Sequence, residues 1–324
     1  MLKRSALLCA LAAACITAAA PASAQPYPTK PVRIVVGFAP GGPADVMARL
    51  IGQRLSGILG QPIVVDNRPG AGGTIGARAV AEADPDGYTL LLGNTSTLVI
   101  SPLAYKNVSY DDVKGFAPVA LLGTTSNLLI VNPDLPVKSV QELIALARSR
   151  PGKLNYASAG IGTPPHLIGE MFKQRLQLDI VHIPYKGGGP SVQSVVAGET
   201  QFSFENPAPS LPLVHAGKLR ALAVTSDRRS AQSPDLPTMI EAGVPDFVSV
   251  SFTAVVAPAA TPRAIVNKLN GAINETLTSP EVADTLVRLG VDAKSASPEE
   301  LAAFLTRERE KWSAVVKTAG IQLE

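Results

Sequence analysis

Short apolar runs rich in β-branched residues alternate along this chain with stretches whose apolar positions recur at helical spacing. Val32, Ile34, Val35 and Val36 form the first run, the composition of a strand buried on both faces. Residues 37–42 predict a loop. Pro43 suits the first turn of a helix, where its missing N–H costs nothing, and Val46, Met47 and Leu50 carry that helix onward. The unit then repeats. Residues 62–66 predict a second strand, 67–73 a loop, 74–83 a helix closed by Asp84-Pro85-Asp86-Gly87, and 88–92 a third strand leading into the polar loop 93–97. Strands alternating with helices and short loops predict an α/β fold, with a parallel or mixed sheet flanked by helices. Ligands of such sheets bind beyond the carboxyl ends of the strands.

Further on, two apolar runs within 119–131 are separated by Gly123-Thr124-Thr125-Ser126-Asn127, which predicts a crossing into a second lobe. Ser139 with Glu142 three residues later forms a capping box for a helix through Ala147. Residues 154–158 then predict a strand, Ala159-Gly160-Ile161-Gly162 a small-residue loop, and Thr163-Pro164-Pro165-His166 the start of a helix through Phe172. This second segment follows the plan of the first: strand, two glycines, proline near the helix start. Strands follow at 180–184, 202–206 and 219–225, with the turn 185–190 and a helix at 191–197 between the first two. A Ser-, Pro- and Asp-rich surface excursion spans 226–246, and a second crossing spans 248–257. Ile265, Leu269, Ile273 and Leu277, then Leu301, Phe304, Leu305 and Trp312, mark a helical C-terminal region. Two crossings imply a discontinuous first domain, 25–124 with 251–324, around a second domain, 125–250.

The N-terminus changes the picture. Lys3 and Arg4 precede an apolar stretch, and Ala22-Ser23-Ala24 matches a secretory cleavage site, so residues 1–24 are expected to be removed and the protein to be periplasmic. The stretch is shorter than the roughly 20 residues of a spanning helix. Both cysteines, Cys9 and Cys15, lie within it, so the mature chain carries no disulfide and no thiolate chemistry. Removing 24 of 324 residues leaves 300, enough for two domains. Loss of Lys3 and Arg4 brings the formal charge from +3 to +1, which gives no case for nucleic acid or an anionic membrane surface.

Candidate chemistry is sparse. Each glycine loop precedes a helix N-terminus, where unpaired N–H groups and the helix dipole favour an anion, and two such termini, one per lobe, could grip one anionic group from opposite sides. GAGGTIGA at 70–77 lacks the third glycine of a dinucleotide fingerprint, and KGGGPS at 186–191 has its lysine before the glycines rather than after them. His166, His182 and His215 are too scattered for a metal site. Ser158 and Ser203 lie near strand ends without a nucleophile elbow. Asp45 either complements the helix dipole or fixes the loop. Glu205 and Asn206 either end a strand or offer an acceptor and a donor to a ligand.

The runs YPTKPVRIVVGFAPGGPADVMAR, QPIVVDNRPGAGGTIGA, PDGYTLL, GKLNYASAGIGTPPHL, VHIPYKGGGP, AGKLRALAVTS and LPTMIEAG together resemble the Bug-type extracytoplasmic solute receptors of tripartite tricarboxylate transporters. The resemblance spans nearly the whole mature chain. It implies a two-lobed type II periplasmic binding fold that closes on a small carboxylate or dicarboxylate. One carboxylate would be held mainly by backbone N–H groups of the two glycine loops. The first loop brings Phe38, Ala39, Gly41, Gly42 and Asp45; the second brings Ala159, Gly160, Gly162, Thr163, Pro164 and His166. Thr95, Ser96, Tyr185, Glu205 and Asn206 would line the remaining wall. Pro43 and Ala44 stand where the family often has glycine or serine and then threonine, Glu205 where it often has aspartate, and Thr163-Pro164 where it often has two small polar residues. These departures bear on which acid is bound, and Phe38, Ala44, Ile161 and Pro164 favour an apolar or aromatic one.

The expected function is therefore capture of a small organic acid by closure of two lobes and its delivery to the membrane subunits of a tripartite tricarboxylate-type transporter. A monomer is expected, with no cofactor, no metal and no enzymatic activity. The alternatives are a receptor presenting its ligand to a membrane sensor, and a periplasmic enzyme acting on a carboxylic acid.

Overall fold

The computed structural model describes residues 27–322 apart from 107, 109, 112, 113 and 231; the expected leader and its cleavage site lie outside the described residues. The first apolar run forms β1 (Val32–Val36), with all its residues but Arg33 buried. It pairs in parallel with β2 (Ile63–Asn67) on one side and β3 (Thr89–Asn94) on the other. β3 pairs antiparallel with β10 (Val250–Pro258), β10 with β4 (Phe116–Ser126), and β4 with the two-residue edge strand β11 (Asp292–Ala293). Helix α1 (Pro43–Leu59) covers this sheet through Met47, Ala48, Ile51 and Leu55, whereas Val46 is exposed. The stripe extrapolated from Val46, Met47 and Leu50 is thus turned by about one position. The longer stripe Met47, Ile51, Leu55 wins because it buries more apolar surface, and Gly52 lets the helix lie close to Ile63.

The second sheet has the order β7-β6-β8-β5-β9. β6 (Asn155–Ser158) lies parallel to both β7 (Val181–Pro184) and β8 (Phe202–Glu205). β5 (Leu128–Val131) runs antiparallel to β8 and to β9 (Arg220–Val224). Phe172, Phe202, Phe204 and Phe247 pack against one another in edge and stacked contacts. The architecture is α/β, two lobes each built on a mixed sheet flanked by helices.

Two passages join the lobes. β4 runs through Ser126 and the buried Asn127 straight into β5, and the chain returns between β9 and β10. Thr225 ties the passages together. Its Oγ1 accepts the Asn127 N–H at 2.9 Å and donates to the Ser249 carbonyl at 2.6 Å, and its N–H donates to the Asn127 carbonyl at 2.9 Å. The register sets what faces the gap. Asn94, at the carboxyl end of β3, pairs with Thr253, and Glu205, at the carboxyl end of β8, pairs with Leu128. The carboxyl rims of both sheets therefore flank the crossing.

Two segments differ from their predictions. Residues 93–97 are not an open loop: Gly93 and Asn94 end β3, and a π-helical turn (Ser96–Ile100) runs into α3 (Ser101–Ala104). The excursion 226–246 is not wholly at the surface, since Met239 and Val244 are buried there, with Phe247 just beyond, and Met239 is hydrogen-bonded to Val224. Three short elements the pattern did not predict are α7 (Pro207–His215), α9 (Pro280–Arg288) and β11. α7 carries prolines at 207, 209 and 212, which read as helix breakers. Among the described residues no helix is long and apolar enough to cross a membrane.

Candidate functional site

The first glycine loop leaves β1 at Gly37. A Cβ there would lie 2.7 Å from the Gly73 Cα, so the two backbones pass too closely for any side chain, and the GAGGTIGA run does its packing here. Beyond Gly37 the loop is braced from behind. Asn67 Nδ2 donates to the Phe38 carbonyl at 3.1 Å, and Arg49 Nη2 donates to Asn67 Oδ1 at 3.2 Å. Arg49 grips both oxygens of Asp45, at 3.0 and 2.9 Å, and Asp45 Oδ2 accepts the Gly41 N–H at 2.9 Å. The Arg49 hydrogen bond, then the Gly41 N–H, hold the Asp45 carboxyl down at about 2. Asp45 is 3% exposed, so it shapes the loop and is charge-paired there. Pro43 has no N–H, and Val46 donates to the Gly42 carbonyl. The N–H groups of Ala44 and Asp45 are the orphan donors of the α1 first turn.

The second loop is braced by a column of rings. Ser158 Oγ accepts the Gly160 N–H at 3.1 Å and lies 2.6 Å from His182 Nε2. The Gly162 N–H donates to His166 Nδ1 at 3.1 Å, which fixes His166 as neutral with its proton on Nε2. His166 stacks on His182 at 4.0 Å between centroids, and His182 on Tyr156 at 4.9 Å. Burial lowers the pKa of both imidazoles, that of His182 to about 3. Thr163 Oγ1 donates to the Gly160 carbonyl at 2.7 Å. At the start of α5 (Pro164–Leu176) both prolines lack an N–H, so His166 carries the first amide of that helix. The Ser158–His182 contact pairs a hydroxyl with an imidazole, and Ser158 is fully buried.

Glu205 is also buried. Its Oε1 accepts the hydroxyls of Ser191 at 2.5 Å and Ser203 at 3.2 Å, and its Oε2 lies beneath Gly188 at the start of α6 (Gly188–Val196). Burial pushes its carboxyl up to about 7, against the opposing pull of both hydroxyls and the Asn206 N–H. The N-terminus of α6 thus covers a carboxyl of the protein itself. Tyr185 is half-buried and its hydroxyl donates to Glu199 at 3.3 Å. Thr95 is 2% exposed, with Oγ1 accepting the Phe252 N–H of β10 at 2.8 Å, and Ser96 opens the π-helical turn. Ala39 is exposed, and Asn206 is exposed at the N-cap of α7.

A cavity of about 250 Å³ lies between the lobes. Pro43, Ala44 and Met47 of α1 form one wall; Asn206 and the first turn of α7, Pro207 to Pro209, form the other. Asn94, Thr125 and Thr253 lie between them on the crossing strands, and Leu289 with Val291 closes one side. Of the residues predicted for the site, Asn206 lines this cavity directly, and Gly42 and Asp45 flank Pro43 and Ala44. Thr95 and Glu205 adjoin the lining residues Asn94 and Asn206, and no residue of 159–166 lines the cavity. The 159–163 loop leaves β6 on the same rim as Asn206, because β6 and β8 are parallel neighbours. Met47, Thr253, Leu289, Val291 and the start of α7 are contributors the sequence did not flag. Pro207 had a usable signal, since a strand followed by a proline-started helix is the plan already seen at Pro43 and Pro164. Among the described residues no group of three His, Cys, Asp or Glu could hold a metal ion.

Comparison with known proteins bears on the family and the fold. The model of the tripartite tricarboxylate transporter family receptor matches residues 47–321. Protein BugT of Bordetella pertussis is 39% identical over 307 residues, covering 94% of either chain. Among solved structures, an R. palustris protein with adipate is 38% identical with a TM-score of 0.76, covering 91% of this chain and 99% of that one. MatC from Rhodopseudomonas palustris with bound malate is 35% identical with a TM-score of 0.72, covering 90% and 100%. By sequence along most of its length and by its two-lobed fold, this chain belongs to the tripartite tricarboxylate transporter receptor family of solute-binding proteins.

Proposed function

We propose that the protein captures a small organic acid in the gap between its lobes and delivers it to the membrane subunits of a tripartite tricarboxylate-type transporter. The observation that carries this reading is the inter-lobe cavity, with the orphan N–H groups of Ala44 and Asp45 on one side and Asn206 with the start of α7 on the other. An anion at a helix N-terminus is stabilised by the unpaired N–H groups and by the dipole. The Arg49–Asp45 pair removes the repulsion that a bare carboxylate in the first turn would exert. On closure the 159–166 loop would complete the ring of donors from the second lobe, through the amides of Ile161 and His166. The relatives solved with adipate and malate make carboxylates the first ligands to try.

In this reading the rigid units are residues 25–124 with 251–324, and residues 125–250, moving about Asn127 and Thr225. The closed state is favoured only by contacts the ligand makes better there than in the open one. The mature chain begins after Ala24, works in the periplasm and acts as a monomer. No catalytic step is invoked. The test is a thermal-shift screen of hexanoate, benzoate, adipate and malate on the mature protein. An acid at a hundred times its dissociation constant should stabilise it by about 2.7 kcal/mol. An unmoved midpoint with all four at millimolar concentration contradicts the reading.

A further inference from the structure

Two histidines hold the loop between β6 and α5 from within, and they hold it by different means. His166 is 5% exposed, and its Nδ1 accepts the Gly162 N–H at 3.1 Å. His182 acts through Ser158, whose Oγ lies 2.6 Å from His182 Nε2 and accepts the Gly160 N–H at 3.1 Å. The amides on either side of Ile161 are thus bound to buried side chains, which leaves the Ile161 N–H between them for a ligand. Protonation affects the two braces unequally. A protonated His182 can still donate to Ser158 Oγ, whereas a protonated His166 carries a hydrogen on Nδ1 and cannot accept from Gly162. The Gly162 N–H then loses its partner and faces a second donor, which is unfavourable.

Burial keeps the His166 pKa below the ordinary 6.5, opposed by Glu170 and reinforced by Lys173, both on α5. From the sheet the ring meets His182 of β7, stacked at 4.0 Å, and beyond it Tyr156 of β6, whose hydroxyl donates to Glu170 at 2.7 Å. The C-terminal helix α10 (Pro298–Ala319) packs on α5 through Val315 and Gln174, and its Glu308 and Lys311 are paired with each other. Building on the proposed capture of an organic acid, we propose that His166 is a positioning residue: as a neutral acceptor it sets the loop that the second lobe turns to the ligand, and its protonation frees that loop and weakens binding. Affinity is full where the imidazole is neutral and falls with pH below that, by about tenfold per pH unit at most for one proton. Glu205, next to the lining residue Asn206, also titrates, at about 7, but in the opposite sense, since losing its charge as pH falls favours a nearby anion.

The test is calorimetric titration of the mature protein at pH 7.5 and pH 5.0 with whichever of hexanoate, benzoate, adipate and malate binds tightest. It is repeated on His166→Asn, whose Oδ1 takes the place of Nδ1 as an acceptor and does not titrate, with circular dichroism reporting the fold. The expected loss of affinity at pH 5.0 is at least threefold larger in the wild type than in the variant, a comparison in which ionisation of the acid and of Glu205 cancels. Equal losses in the two folded proteins overturn this inference and leave the capture of an acid standing. Amide exchange of the wild type without ligand reads the brace alone: Gly162, corrected for intrinsic exchange, should be less protected at pH 5.0 than at pH 7.5, and equal protection overturns the inference whether or not the variant folds. Failure of all four acids at pH 7.5 overturns the capture reading, and with it the ligand's part in this one.

Discussion

Gly42 and Gly160 both lie in the glycine loops, Gly42 as the N-cap of α1 and Gly160 three residues before the Thr163 N-cap of α5, and their backbones differ. Gly42 sits at φ −78°, and a Cβ there meets only the Ala39 carbonyl, at 3.5 Å. Gly160 sits at φ +129°, where an L side chain costs about 1–3 kcal/mol. Gly42→Val should therefore cost at least tenfold in affinity for the tightest-binding of the screened acids while moving the unfolding midpoint little. Gly160→Val should lose affinity and stability together, read by titration and by urea denaturation of the same preparations. The sequence places both glycines correctly before a helix but cannot distinguish them, because φ is set by where the next element has to go. Two titrating groups, the buried Glu205 and the half-buried His182, are equally invisible in it. The Glu205 carboxyl is raised to about 7 from 4.5, so the folded state holds its proton more tightly than the unfolded chain. The stability this gives is complete below 4.5 and is lost as pH rises through 7. His182 has the opposite sign: held at about 3 instead of 6.5, it contributes stability above 6.5 that is lost as pH falls toward 3. Glu205→Gln should flatten the alkaline side of a stability-against-pH curve and leave the acid side in place.

At the scale of elements, the plan of strand, glycines and proline-started helix is local, and the chain states it openly at β1–α1 and β6–α5. Local chemistry also gave the Ser139 cap, whose Oγ accepts the Glu142 N–H, although the Glu142 carboxylate reaches Lys138 N–H instead of closing the box on Ser139. What the pattern could not give depends on contacts far apart in sequence. Val244 and Phe247 look like surface punctuation until the Phe172 and Phe204 rings cover Phe247, and α7 forms in spite of three prolines because two of them fall in its first turn. The joint between the lobes is another such place. Thr225→Val keeps the shape of the side chain but removes the acceptor for Asn127 and the donor to Ser249. Leaving buried polar groups unpaired costs about 1–3 kcal/mol, so the urea midpoint should fall accordingly. An unchanged midpoint would mean that this knot does not hold the passages together.

For the molecule as a whole, the two sheets turn their carboxyl rims toward one crossing, the arrangement that the proposed closure requires. Closure on a ligand should draw the lobes together, and small-angle scattering should record a smaller radius of gyration with a saturating acid than without, and no such change in Gly42→Val at the same concentration. An equal radius in the two states of the wild type would place the ligand on a rigid surface instead of between moving lobes. The measurement that bears most directly on the account is a crystal structure of the mature protein with its tightest-binding acid. The account predicts one carboxylate within hydrogen-bonding distance of the Ala44 or Asp45 N–H of the first lobe and of at least one donor from residues 159–166 or 206–208 of the second. A carboxylate bound elsewhere, or held by one lobe alone, would contradict it.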